Sequence, residues 1–383
     1  MATENNNKTL NVPNLRFPEF NGEWEHVALS EIAARVTRKN KDNASKLPLT
    51  ISAQYGLVDQ ISFFNKVVAS ADMSNYYLLR QGEFAYNKSY SSDYPWGAIK
   101  RLDGYPQGAL SSLYICFAVN EKVDSDFAVH YFESSKWHRE VSNIAGEGAR
   151  NHGLLNIAVG DFFDTKHRLP SSKEEQKKIA ALLNLIAERI ATQIKIIEKL
   201  ESLIKGLCQV LFSFEEYATY LLGDICSITT GKLDANAMVE GGKYPFFTCA
   251  EDVFSIDEYA FDTEALLISG NGANLGYIHY YNGKFNAYQR TYVLDKFAID
   301  INYVRLYLES FLKYRIEQEK NTGNTPYIVL GTLSKMKIKV PNTITQQKIS
   351  QSIASLKEKL SIEKQSHKKY EEQKRYLLSN LFI

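Results

Sequence analysis

Polar and apolar positions follow two different rhythms along this chain. Over residues 179–212 and again over 349–382, apolar side chains return at steps of three and four, and each stretch runs without a gap from an isoleucine to a Leu-Phe ending. From Leu183 the steps fall on Ile186, Ile190, Gln193, Ile197, Leu200, Ile204, Leu207 and Leu211. From Ile353 they fall on Leu356, Leu360, Glu363, His367, Tyr370, Lys374, Leu377 and Leu381. A seam sustained over about four heptads predicts a long helix that packs along another helix. The two copies have equal length, since 212 − 179 = 33 and 382 − 349 = 33, and two such helices in one chain, joined by a large domain, are expected to lie antiparallel. Pro170 and Pro341 stand just before them, with Ser171 or Ser172 and Thr343 as candidate caps. The second seam is the more polar, carrying Glu363, His367 and Lys374.

Elsewhere the rhythm shortens. Runs rich in Val, Ile, Tyr and Phe, such as "SSLYICFAV" and "ALLISGNGANLGYIHYYNGKFNAYQRTYVL", are broken by Gly, Asn and Asp and predict strands of a curved mixed sheet. "DFAVHYFESSKWHREVSNI" and "INYVRLYLESFLKYRIEQ" each predict one amphipathic helix. Fainter echoes set "ALSEIAARV" against "LLGDICSI", Ile32 against Ile225, and "HYFES" against "LYLES". The chain therefore reads as α+β with a pseudo-two-fold internal repeat, in four parts: a first globular domain at 1–168, a long helix at 169–214, a second globular domain at 215–339 and a second long helix at 340–383.

Composition narrows the function more by exclusion than by hint. At 383 residues, 44% hydrophobic and 23% charged, the chain is of ordinary globular make-up with room for two or three domains. No apolar run approaches the roughly 18 residues a membrane helix needs, and the polar start "MATENNNKTLN" predicts a cytoplasmic protein. Cys116, Cys208, Cys226 and Cys249 are too scattered for a zinc site or disulfide framework and are expected to be buried, reduced thiols. There is no P-loop, no H-E-x-x-H and no paired-proline methyltransferase motif. "GNGANLG" lacks the dinucleotide-loop spacing and is followed by strand-like residues. His130 reads as a satisfied structural histidine. No catalytic residue and no metal ligand is assigned.

Local composition points toward nucleic acid even though the net charge is only +1. Residues 166–205 hold 9 Lys and Arg against 5 Asp and Glu. In "AYNKSYSSDYPWGAIKR", Lys88, Lys100 and Arg101 are interleaved with Asn87, Ser89, Tyr90, Tyr94 and Trp96, so phosphate-neutralising and base-reading groups share one stretch. A Tyr-rich turn packed on its own sheet is the plainer alternative. "GEGARNHG" adds Arg150, Asn151 and His152. In the second half, Asn271, Asn274, Asn286, Gln289 and Arg290 are candidates, as are Asn321, Asn324 and Tyr327 of "NTGNTPY".

Certain of these phrases resemble the specificity subunit of type I restriction-modification systems. The carriers are "VPNLRFPEFNGEWE" from Val12 to Glu25, the helix start of Pro170, Glu175-Gln176 and Ile179, its repeat in Pro341, Gln346-Gln347 and Ile349, and "GARNHGLLNIAVGDF" from Gly148 to Phe162. The resemblance implies two target-recognition domains, each reading half of an asymmetric bipartite site on double-stranded DNA, separated by an antiparallel coiled coil. It implies two modification methyltransferase subunits as partners, and restriction/translocase subunits in a restricting complex, with S-adenosylmethionine, ATP and Mg2+ on those partners and no cofactor on this chain. The helix-start residues, with Leu183, Ile186, Ile190, Ile353, Leu356 and Leu360, become candidates for the spacer and for partner docking. A helix of about 33 residues spans roughly 50 Å, enough to set two readers about one DNA turn apart. A free-standing DNA-binding regulator, or a coiled-coil adaptor without enzyme partners, is the competing reading.

Overall fold

The computed structural model describes residues 11–145, 153–213, 216–319 and 327–383. The chain forms two compact units, Met1–Thr192 with His367–Ile383, and Gln193–Ser366. Each unit thus takes in one end of each long helix, where the four-part division set globular parts and helices apart.

In the first unit the described elements run β1 (Glu25–Ala28), α1 (Leu29–Ile32), β2 (Ala33–Arg35), β3 (Leu49–Ser52), β4 (Gly56–Asp59), α2 (Gln60–Phe64), β5 (Tyr77–Arg80), β6 (Phe84–Asn87), β7 (Ala98–Arg101), β8 (Gln107–Leu110) and β9 (Ile115–Val119). Then come α3 (Ser125–Glu133), α4 (His138–Ile144), α5 (Val159–Asp164), β10 (Lys166–Leu169) and the long α6 (Lys173–Leu211). A four-stranded sheet in the order β2-β9-β6-β7 is the centre, with the pairs β3-β4, β5-β8 and β1-β10 around it. The expected single helix after β9 is two helices. Ser134 is extended and its hydroxyl donates to the Tyr131 carbonyl (2.6 Å), while the buried Trp137 indole donates to the Phe132 carbonyl (3.0 Å). Those local bonds compete with helix continuation.

The second unit runs β11 (Ala218–Leu221), α7 (Leu222–Ile225), β12 (Ser227–Thr230), β13 (Tyr244–Phe247), β14 (Phe254–Ile256), β15 (Phe261–Ser269), β16 (Ile278–Ala287), β17 (Thr291–Asp295), α8 (Ile301–Gln318), α9 (Leu330–Ser334), β18 (Lys337–Val340) and α10 (Thr343–Asn380). Its sheet order is β12-β17-β15-β16-β13-β14, all antiparallel except the β13–β16 pair. The first four strands reproduce the order of the first unit, and the backbone repeats in detail. The Leu29 and Leu222 amides donate to the carbonyls of Thr165 and Met336, both over 2.9 Å, while the Ile32 and Ile225 carbonyls accept from Asn120 and Ala298, both over 2.8 Å. Asp124 caps α3 through the Asp126 and Phe127 amides (3.1 Å each), and Asp300 caps α8 through the Tyr303 amide (2.7 Å).

Each Leu-Phe ending packs into a core, with both phenylalanines buried. In the first unit, Phe382 packs edge-on against Phe127 (5.4 Å between centroids) and Tyr131 (5.8 Å). In the second, Phe212 packs edge-on against Tyr303 (5.8 Å) and Tyr307 (5.3 Å). Burying such a ring contributes about 1.5–3 kcal/mol. Within the first unit Arg189 lies over the Tyr370 ring at 5.7 Å, and Leu183 shares a core with Leu377. Within the second, Gln193 donates to the main chain of Glu363 (3.1 Å) and to its carboxylate, and Cys208 lines one cavity with Lys357 and Leu360. Rising positions on α6 meet falling positions on α10, so in each unit the helices are antiparallel. Two of the polar seam positions have partners: Glu363 holds Gln193, and Lys374 pairs with Glu133 at 3.0 Å.

Cys116, Cys208 and Cys226 are buried; Cys249, expected buried, is half-exposed. Among the described residues no helix is long and apolar enough to cross a membrane, and no group of three or more His, Cys, Asp or Glu is placed to hold a metal ion.

Candidate nucleic-acid interface

The polar loops predicted from sequence gather at one edge of the shared sheet in each unit. In the first unit, the connection between β6 and β7 folds back on the chain that precedes α5. The Leu155 amide donates to the Lys88 carbonyl (2.9 Å), the Tyr90 amide donates to the Gly153 carbonyl (3.1 Å), and Ser89 bridges Leu154. In the second unit, the connection between β15 and β16 does the same. The Ile328 amide donates to the Gly270 carbonyl (2.8 Å) and Asn271 bridges Tyr327. Both loops leave through a glycine of positive φ, Gly97 (+77°) and Gly276 (+83°). At Gly97 the requirement is also steric, since a Cβ would lie 2.1 Å from the Asn87 carbonyl oxygen.

Within the first-unit loop the side chains divide by role. Ser89 and Tyr94 are exposed, and Asn87 and Lys88 are half-buried. Asn87 accepts the Ser89 amide (3.0 Å), and the Tyr94 carbonyl accepts the Ser91 and Gly97 amides (3.1 Å each). Tyr90 and Trp96 pack against the core. Lys100 and Arg101, expected among the phosphate contacts, are engaged inside the unit. Lys100 lies 3.9 Å from Glu133, and Arg101 meets Asp103 (2.7 Å), Asp126 (2.8 Å) and the Ser125 hydroxyl (2.8 Å). Burial depresses the Lys100 pKa against the pull of Glu133. The Glu133 carboxyl would be raised by burial, but the His130 hydrogen bond, Lys374 and Lys100 together bring it down to about 2. His130 is fully partnered, by Asn184 (2.8 Å) and Glu133 (3.3 Å). Arg150, Asn151 and His152 lie outside the described residues, as do Asn321 and Asn324.

In the second unit Gln289, Arg290 and Tyr327 line one cleft of about 270 Å³ with Thr230, Gly270, Tyr292 and Ile328. Gln289 and Arg290 are exposed on the tight β16–β17 turn, and Tyr327 is 60% exposed. The wall is built by close backbone approach, because a Cβ on Gly270 would stand 2.4 Å from the Arg290 carbonyl oxygen. Tyr292 donates its hydroxyl to the Ile328 carbonyl (2.9 Å), fixing the opposite side. Two candidates need correction. Asn286 is 5% exposed in β16, donating to the Glu258 carbonyl (3.1 Å) and accepting the Ala287 amide (2.9 Å), so its amide group is used within the sheet. Asn274 donates to the Cys249 carbonyl (3.3 Å) and accepts the Tyr277 amide at its own carbonyl (2.9 Å), which shapes the loop from within. Sequence reading missed Thr230 and Tyr292, which come from strands whose alternation gave no sign of a cleft.

Each helix start is bonded within its own unit. Gln176 donates to the Pro170 carbonyl (2.8 Å) and accepts the Asp124 amide (2.7 Å). Gln346 donates to the Pro341 carbonyl (2.8 Å) and accepts the Asp300 amide (3.3 Å). Gln176 and Gln346 are therefore counterparts, and the position of Glu175 falls to Thr345, which corrects the pairing of Glu175-Gln176 with Gln346-Gln347. The caps are Ser172, whose hydroxyl accepts the Glu175 amide (3.3 Å), and Asn342, whose side chain accepts the Thr345 amide (2.9 Å) in place of the expected Thr343. Glu175 is 2% exposed and takes both Arg16 Nε and Nη2 (2.8 Å each) and the Trp24 indole N–H (3.2 Å), which accounts for the "VPNLRFPEFNGEWE" phrase. Pro170, Ile179, Leu183, Ile190, Pro341, Ile349 and Ile353 are likewise buried; Ile186, Leu356 and Leu360 are half-buried, and Gln347 is exposed. Burial gives the first group to the packing of the helices and leaves Gln347 as the one exposed side chain of this set.

A family model described as a type I restriction modification DNA specificity domain matches residues 215–372. The chain is 40% identical over 141 residues to the type I restriction enzyme EcoDI specificity subunit of Escherichia coli, covering 37% of this chain and 31% of that one. It is 23% identical over 225 residues to a putative type I specificity subunit of Mycoplasma genitalium, covering 54% of this chain and 59% of that one. The matches thus span less than two thirds of either relative. In fold it is similar to the crystal structure of the S subunit of the M. genitalium type I restriction-modification system, with TM-score 0.67 and 19% identity over 97% of this chain and 99% of that one. It is also similar, at TM-score 0.55 and 16% identity over 94% of this chain and 97% of the other, to a chain solved in work on assembly and conformational transition of the type I R-M system. Residues 215–372 thus match the type I restriction modification DNA specificity domain, and the chain is similar in sequence and in fold to type I specificity subunits.

Proposed function

We propose that this chain is the DNA sequence-specificity subunit of a type I restriction-modification complex. It recognises an asymmetric bipartite site on double-stranded DNA, one half per unit, and does no chemistry of its own. Two modification methyltransferase subunits carrying S-adenosylmethionine methylate adenine in that site, and restriction/translocase subunits with ATP and Mg2+ complete a restricting complex. The observation that supports this reading most is the repeated sheet, β2-β9-β6-β7 and β12-β17-β15-β16, with different polar side chains on the same loops. A common scaffold bearing different loop chemistry suits a reader of two unlike half-sites, since base edges are distinguished by the donors and acceptors set against them.

Co-expression with the cognate modification subunit tests it. A stable complex with two methyltransferase chains, and adenine methylation confined to one bipartite sequence, is the expected result. A tight DNA binder that captures no such subunit would instead be a free-standing regulator.

A further inference from the structure

The turn leading into β9 in the first unit and into β17 in the second is the same turn. Strand register places Ile115 opposite Tyr86 and Tyr292 opposite Ile268, at matching positions of the two sheets. The Tyr114 amide donates to the Ser111 carbonyl (3.2 Å), and the Thr291 amide donates to the Tyr288 carbonyl (2.8 Å). The two central residues are Ser112 and Leu113 in one unit and Gln289 and Arg290 in the other, all four exposed. In each unit the turn stands at the same strand end as the polar loop. Register runs on from Tyr86 and Ile115 toward Asn87 and Tyr114, and Ser269 pairs with Thr291.

The second turn is held rigidly. Its Gln289 amide donates to the Leu233 carbonyl (2.8 Å), and its Arg290 carbonyl accepts the Gly270 amide (2.9 Å). Among the described residues, the side chains of Gln289 and Arg290 have no hydrogen bond or ion pair, whereas Arg16, Arg38, Arg101, Arg305 and Arg315 are all paired with carboxylates. A free guanidinium on a fixed backbone is suited to the O6 and N7 acceptors of guanine in the major groove. Leu113, 66% exposed at the equivalent place, can offer no hydrogen bond and suits an apolar contact such as the thymine methyl.

We infer that this turn is a base-reading position in both units, with Arg290 reading a guanine in one half-site and Leu113 contacting a thymine methyl in the other. The inference rests on the specificity-subunit reading and adds to it the residues and bases that make the two half-sites differ.

The test is base-resolution adenine methylation mapping of the full chain co-expressed with its modification subunit, for wild type, Arg290→Ala and Leu113→Ser. Arg290→Ala is expected to lose discrimination by a factor on the order of ten to a hundred at a single G·C pair of one half-site. Leu113→Ser is expected to relax a single A·T pair of the other, with the spacer unchanged in both. An unchanged recognition sequence in either variant, or relaxation spread over both half-sites, overturns the inference while leaving the specificity-subunit reading standing. Wild-type chain giving no bipartite methylation with its partner overturns both. For a variant that methylates nothing, competition binding of the assembled complex to site variants replaces the map. Preference lost at one base pair supports the inference, and preference unchanged overturns it.

Discussion

Gln176 donates its side-chain amide to the Pro170 carbonyl over 2.8 Å, and Gln346 repeats this bond to Pro341 at the same length. Each glutamine also accepts the amide of the aspartate that caps the neighbouring helix. Because the glutamines are buried, Gln176→Leu or Gln346→Leu strands a carbonyl and an amide without water to replace the lost partner. Each variant is expected to lose about 1–3 kcal/mol, measured by chemical denaturation of the full chain. A loss within error of zero would mean these clamps do not hold the helix starts.

Glu175 is a buried partner of Arg16, so removing either alone leaves a charge without its counter-ion. Glu175→Leu is expected to cost about 3–5 kcal/mol. The double variant Arg16→Met with Glu175→Leu should recover most of that loss, because the desolvation penalty of both ions disappears together. The second unit, with Thr345 at this position, folds without such a pair. A double variant less stable than both singles would contradict this account.

Lys374 and Lys100 share Glu133. Exchanging the charges with Glu133→Lys and Lys374→Glu should restore only part of what Glu133→Lys loses, since Lys100 then faces a cation where it had a carboxylate. A double-mutant cycle on Glu133→Gln and Lys374→Met is expected to show coupling of about 1 kcal/mol. Full recovery in the exchanged pair would show that Lys100 takes no part.

His167 is buried, and burial, aided by His26, brings its pKa down from 6.5 to about 4. Its ring accepts or donates only to Tyr131 (2.9 Å) and Thr165 (2.9 Å). The unfolded histidine takes up a proton near pH 6.5 and the folded one only near 4. Its contribution is therefore complete above pH 6.5 and is lost as pH falls toward 4, by about 3 kcal/mol. Glu133, lowered from 4.5 to about 2, adds a second loss below pH 4.5. Trp24, Trp96 and Trp137 are the three tryptophans of the chain and all belong to the first unit. Tryptophan fluorescence during denaturation at pH 7.5 and pH 5 should therefore show this unit weakening, and His167→Asn should flatten the difference.

Lys88 is half-buried in the loop and has no carboxylate partner among the described residues, while Lys100 and Arg101 are held by carboxylates. For DNA binding by the assembled complex, Lys88→Ala is expected to weaken affinity across sequences and lower the salt slope by about one. Lys100→Ala should leave the slope unchanged. The reverse result would return the interface to β7.

The legible part of this chain was its longest periodicity. The seams from Leu183 and Ile353 announce two equal helices because a core-facing stripe must return at helical spacing. His130 was legible as structural for the same reason, lying on the buried face of α3. The register of the helix starts was harder. Pro170 and Pro341 differ by one residue in their distance to the helix, so matching letters paired Glu175 with Gln346, while the hydrogen bonds pair Gln176 with it. The polarity of the second seam was legible, but not that Lys374 meets Glu133 and Glu363 meets Gln193, partners far away in sequence.

The candidate interface divides along the same line. Sequence composition brought Lys88, Ser89, Tyr94, Gln289, Arg290 and Tyr327 forward because amides, hydroxyls and cations in glycine-rich loops are what a base-reading surface requires. It brought Asn286, Lys100 and Arg101 forward on the same grounds, and could not tell a free group from one already satisfied by Glu258, Glu133 or Asp126. By itself, the sequence determined the repeat, the presence of two long helices and the class of fold, since these follow from periodicity along the chain. Which polar groups stand free, and that Leu113 and Arg290 occupy one position of one turn, was decided only by the tertiary structure. Strand register and hydrogen-bond partnership join residues that no spacing along the chain connects.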